Sequence, residues 1–166
     1  MPKIYLEKNV LDAALERLEI IFKNFDNIYF SVSAGKDSSV MIQLANMIAQ
    51  KLNKKYDVLF IDLEGQYKCT IDHLYELKQL SNIRDFYHIA LPLALRNAVS
   101  VLQPKWICWE EESKDLWIRK LPKDSININN CPFPWFRKGE EFEDFILQFA
   151  DWYQKKWGGN IACGVG

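Results

Sequence analysis

Residues 29–40 read Y-F-S-V-S-A-G-K-D-S-S-V. A β-like run leads into them and an apolar, helix-like run follows. Ser33, Ser38 and Ser39 supply hydroxyl donors, Lys36 a cation, Asp37 a carboxylate, and Gly35 a backbone with no side chain in the way. A helix N-terminus has unpaired N–H groups and a partial positive charge. A glycine there lets the backbone come close to an anion. Ser33, Ala34, Gly35, Lys36, Asp37, Ser38 and Ser39 therefore describe a cradle for a phosphate or pyrophosphate. In that cradle Lys36 offsets charge, and Asp37 suits a Mg²⁺ ligand or a helix cap better than a bare phosphate. The plain alternative is a capped helix start. The strand before and the apolar helix after favour the cradle. The pattern is not the G-x-x-x-x-G-K-[ST] loop, because Phe30 stands at the first glycine and Asp37 at the Ser/Thr.

A second group is aromatic. Trp106, Trp109 and Trp117 alternate with Lys105, Lys114, Arg119 and Lys120. Aromatic faces with cations can hold a nucleobase and its phosphate. Two readings stand: a lid or substrate pocket over the cradle, carried by Trp106, Trp109, Trp117 and Arg119, or a satellite hydrophobic cluster pinning a long loop to the core. Glu110, Glu111 and Glu112 interrupt the run and weaken a nucleic-acid reading. Cys108 and Cys131 have no clear activating partner. Cys163 reads as core, and His73 and His88 as ordinary helix and strand residues.

The elements that must position these groups alternate. Val10, Ala14, Leu18, Ile21 and Phe25 recur at helical spacing within a helix over 7–24. IYFSV is a short buried strand, and 39–52 a helix packed on a sheet. DVLFIDL, 57–63, is a strand buried on both faces. A helix over 69–80, a strand over 84–91 and a short helix within 93–102 follow. From 103 to 138, prolines 104, 122, 132 and 134 break all periodicity, leaving an irregular insert with a helical turn near 113–119. GEEFEDFILQFADWYQKKWGG is a helix with acids leading and lysines trailing, and NIACGVG a fourth strand. The expectation is one α/β domain over 1–166, a Rossmann-like parallel sheet of about four strands flanked by helices. Such sheets bind ligands beyond the carboxyl ends of their strands, where the cradle sits.

Composition sets the outer bounds. A net charge of −1 gives no global attraction to nucleic acid or anionic membrane. No signal-like leader and no apolar run of about 20 residues is present, which reads as a cytoplasmic protein with reduced thiols. The four cysteines form no C-x-x-C pair, against a zinc site.

S-A-G-K-D-S between strand and helix resembles the PP-loop of the ATP pyrophosphatase superfamily. That group includes phosphoadenosine phosphosulfate (PAPS) reductases, ATP sulfurylase small subunits and tRNA-thiolating enzymes. VLFIDLEGQYKCTIDH, HIALPL, QPKWICWE and LWIRKLP are similar to the PAPS-reductase-like branch with a Trp-rich insert after its third strand. The likeness runs from about residue 5 onward. It implies an adenine nucleotide hydrolase-like fold, with Ser33, Gly35, Lys36, Asp37 and Ser38 binding the phosphates of ATP or a PAPS-like adenine nucleotide with Mg²⁺. It implies an acid near the nucleotide at Asp62, there to accept from ribose hydroxyls or the adenine amino group; the alternative is a solvated strand end. Ala34 stands where a glycine is usual, and a negative φ is expected there. Relatives continue with a G-I-R-x-x-E-S-like segment where Gly164–Val165–Gly166 stands, so the resemblance implies a truncated chain, a fragment or a minimal homologue. It implies either adenylyl or sulfur-transfer chemistry, or a nucleotide-binding module without turnover that acts with a partner protein or as a homodimer through an exposed sheet edge.

Overall fold

Alternate residues of the central strands point to opposite sides, and both sides are apolar. Ile28 and Phe30 face one way and Tyr29 the other; Tyr56, Val58 and Phe60 oppose Leu59. A strand patterned like this must be covered twice. A computed structural model describes residues 7–99 and 101–166 and shows how. Strands β1 (Asn27–Ser31), β2 (Tyr56–Ile61), β3 (Ile83–Ile89) and β6 (Ile161–Val165) form one parallel sheet in the order β3-β2-β1-β6. Helices α1 (Val10–Asn24), α2 (Lys36–Leu52) and α3 (Lys68–Leu77) supply Leu18, Phe22, Ile42, Ala45, Leu74 and Leu77 to the core on one face. Helix α4 (Phe142–Trp157) and the insert cover the other with Phe145, Phe149, Tyr153, Trp109 and Phe133.

α2 follows β1 after four residues, and α3 follows β2 after six. Both helix N-termini therefore stand at the carboxyl edge of the sheet. Order reverses at β1, whose neighbours are β2 on one side and β6 on the other. At the opposite edge a buried carboxylate locks the layers. Asp57 accepts from Arg84 Nε at 3.0 Å and Nη2 at 2.6 Å, and from the Tyr153 hydroxyl at 2.6 Å. The Arg84 guanidinium lies 3.5 Å over Trp157.

The structure corrects four expectations. The stretch 93–102 holds no helix among its described residues; β4 (Ala94–Arg96) pairs antiparallel with β5 (Lys105–Ile107). The backbone there bonds outward, Ala94 N–H to the Glu140 carbonyl and Asn97 N–H to that of Pro104. The stripe of α1 on the core is Leu15, Leu18, Ile21 and Phe22, continued by Phe25 just past its end, whereas Val10 is 87% exposed in the first turn. The helical turn in the insert is a 3₁₀ segment at Glu111–Leu116, two to three residues earlier than the sequence placed it. Cys163 is exposed rather than core, because β6 pairs with β1 on one side only among the described residues.

Candidate functional site

The β1–α2 turn presents donors outward. Gly35 is the N-cap of α2, and no side chain caps that helix. Its first-turn N–H groups therefore face the carboxyl edge with their dipole unanswered by a cap. Ser33 is exposed, its hydroxyl 3.1 Å from that of buried Ser38 and accepting from the Gly35 N–H at 3.3 Å. Ser38 donates to the Gly35 carbonyl at 3.2 Å. Lys36 and Asp37 project into solvent, 88% and 82% exposed, with Nζ and Oδ1 3.6 Å apart. Ser39 donates to the Gly35 carbonyl at 2.7 Å and lies 2.9 Å from His73 Nε2 on α3.

Ala34 departs from expectation. Its φ is +57°, in the left-handed region, and its methyl is buried against the first core. The turn needs the reversed backbone to swing from β1 into α2. Alanine accepts a strain on the order of 1 kcal/mol while its methyl gains burial.

Asp62 sits elsewhere in character. It is fully buried just beyond β2, which excludes a solvated strand end. Its Oδ2 lies 2.9 Å from His88 Nε2; Oδ1 accepts from Arg119 and, at 2.9 Å, from the Glu64 N–H. Burial pushes the Asp62 carboxyl up, but the bonds from His88 and Arg119 outweigh it and hold it below the usual range. His88 Nδ1 has no hydrogen-bond partner among the described residues.

The insert is anchored on the same two acids. Glu64, with φ +66° and 4% exposed, accepts from Trp109 N–H at 2.9 Å and Ile118 N–H at 3.1 Å. Trp109 donates its indole N–H to the Asp62 carbonyl at 2.7 Å, and Arg119 lies 4.9 Å over its ring. Trp117 meets Trp109 edge-on at 5.3 Å. Of the four proposed lid residues, Trp109 is core, Trp106 and Trp117 line a hollow of about 240 Å³ with Glu64 and Glu110, and Trp117 and Arg119 line another of about 490 Å³. Sequence reading missed Glu64, whose only local signal is its place two residues after Asp62, and the linkage of His73 to Ser39. Burial pushes the Cys108 thiol up to about 12, so it is inert at neutral pH.

The Mg²⁺ expected from the sequence is a metal ion that needs ligands among these groups. No cluster of three His, Cys, Asp or Glu among the described residues could hold one. The exposed Asp37 fits a Mg²⁺ ion only as one ligand beside phosphate oxygens, the usual manner for that ion.

Residues 27–116, more than half of the chain, match the family model for the phosphoadenosine phosphosulfate reductase domain. The chain belongs to that family, whose name ties it to an adenine nucleotide. It is also similar to "Uncharacterized protein YbdN" of Escherichia coli (strain K12), 38% identical over 165 residues. That alignment takes in 98% of this chain and 40% of the relative, so the chain spans well under half of its length. Among the described residues no helix is long and apolar enough to cross a membrane.

Proposed function

We propose that the β1–α2 turn holds the phosphate tail of an adenine nucleotide, and that ATP is cleaved there between its α and β phosphates. An acceptor oxygen or sulfur attacks the α phosphorus, the bond to the bridging oxygen breaks, and pyrophosphate leaves with that electron pair. The observation that carries the reading is the uncapped N-terminus of α2, with Ser33 and Lys36 exposed beside it. The amides and hydroxyls orient the tail, and Lys36 offsets charge growing on the leaving group. A Mg²⁺ ion bound by the phosphates and Asp37 would add to that offset. The phosphosulfate nucleotide named in the family is the other ligand of the same chemical kind, with sulfur transfer as its reaction.

A second reading is binding without turnover, with a partner protein or a second copy of the chain. It is favoured by one observation: Asp62 and Glu64, acids at the carboxyl edge, are both engaged by the insert and not free for proton transfer. The test is a thermal melt with and without Mg-ATP or PAPS, beside Lys36→Ala, followed by assays for AMP and pyrophosphate. A ligand-induced rise that the variant lacks supports the site, and AMP formation separates turnover from binding. A cooperative melt that neither nucleotide moves sinks the reading.

A further inference from the structure

His73 is joined to the cradle by a chain of three bonds, and their donors can be counted. Ser39 Oγ is 2.7 Å from the Gly35 carbonyl and 2.9 Å from His73 Nε2; His73 Nδ1 is 3.1 Å from Glu76 Oε2. A hydroxyl has one proton, and an ionised carboxylate and a carbonyl only accept. If Ser39 donates to Gly35, then Nε2 must donate to Ser39. If Nδ1 is to bond Glu76, it must carry a proton as well. All three bonds exist together only with the imidazolium. A neutral ring forfeits one of them: Ser39 turns from Gly35 toward Nε2, or Nδ1 loses Glu76.

Resting on the nucleotide reading above, we propose that His73 is a positioning residue of the cradle and makes its affinity for phosphates depend on pH. The imidazolium fixes Ser39 against the N-cap carbonyl of α2 and places a positive charge one turn behind the anion. As pH rises the charge goes and Ser39 is released to swing. The other charged groups on these first turns are paired with one another. On α3, Asp72 is paired with Lys68 at 2.5 Å, and Cys69 lies one turn before His73; on α2, Lys36 lies three and Asp37 two residues before Ser39, and the two pair with each other. Glu76, 78% exposed, is the counter-charge of the ring.

The test measures the Kd of Mg-ATP by calorimetry from about pH 5.5 to about pH 8.5, the span over which imidazoles titrate. Wild type, His73→Gln and Glu76→Gln are compared. ATP itself titrates in this range, so the ratio of variant to wild-type Kd is the quantity read. For His73→Gln the ratio should be about fivefold at the acidic end, as expected for one screened charge, and fall to about one at the alkaline end. Glu76→Gln removes the counter-charge without touching the ring, and its pH profile should shift to lower pH. A ratio flat with pH in a wild type that binds overturns the role of His73 and leaves the nucleotide reading standing. A wild type that binds at no pH overturns both.

Discussion

Two groups of charge stand at the same edge of the sheet and are built in opposite ways. In the β1–α2 turn, Lys36 and Asp37 are exposed and the helix N-terminus is uncapped. Beyond β2, Asp62, Glu64, Arg119 and Trp109 are turned inward and bonded to one another. The first group keeps its charges and its helix N-terminus in solvent and contributes little to stability. The second has answered most of its polar atoms and holds the insert against the sheet. One is open to solvent; the other fixes the wall beside it.

Breaking the buried group should have the largest effect. Asp62→Ala leaves Arg119 and His88 facing an emptied site, and should lower unfolding free energy by about 3–5 kcal/mol, measured in urea. A loss below about 1 kcal/mol, within the usual worth of exposed pairs, would erase the contrast between the regions. Acid should sharpen it. The Asp62 carboxyl is held low in the folded state, so its contribution is fully present above the unfolded value near 4 and is lost as pH falls through the folded value. The stability gap between wild type and Asp62→Asn should therefore narrow as acid is added below about pH 4.

The exposed group should behave in reverse. Lys36→Ala should leave the free protein's stability within about 0.5 kcal/mol. It should also abolish most of the stabilisation from nucleotide, about 2.7 kcal/mol or roughly 5–10 °C at a hundredfold excess over Kd. A variant that melts lower without ligand would place Lys36 among the structural charges. The smallest effect belongs to Ala34→Gly. Relief of left-handed strain, on the order of 1 kcal/mol, is offset by a lost buried methyl of about 0.8 kcal/mol. The melt should move by less than about 0.5 kcal/mol.

The fold was legible in the sequence wherever the apolar pattern was unambiguous. The runs at 28–32, 57–63 and 84–91 each became a strand, because a strand buried on both faces shows as a short, mainly apolar run. The donor-rich turn between β1 and α2 was legible because its residues are local: serines, glycine and lysine within a few positions. What escaped was non-local. Glu64 finds Trp109 and Ile118 across more than forty residues, and no periodicity records such a pairing. The stretch 93–102 was read as a short helix and 105–107 as part of the irregular insert, because three residues per strand are too few to show alternation. Ala34 was misjudged from the general cost of a positive φ, which local packing overrode. A solvated strand end was the alternative expected for Asp62, and only the fold reveals its burial with Arg119 beside it.

The place of β1 in the sheet has a consequence for synthesis. Asp26 and Asn160, 134 positions apart, are neighbours across the last strand pair, so β1 stays a bare edge until β6 has been made. At typical ribosomal speeds that interval is roughly 7–27 seconds. Throughout it the strand that leads into the cradle, Ile28–Tyr29–Phe30, offers one side of its backbone to any extended chain nearby. For this protein, slow translation and crowding by other nascent chains are thus hazards set by topology, and a chaperone that shields β1 would act on the element that carries the cradle.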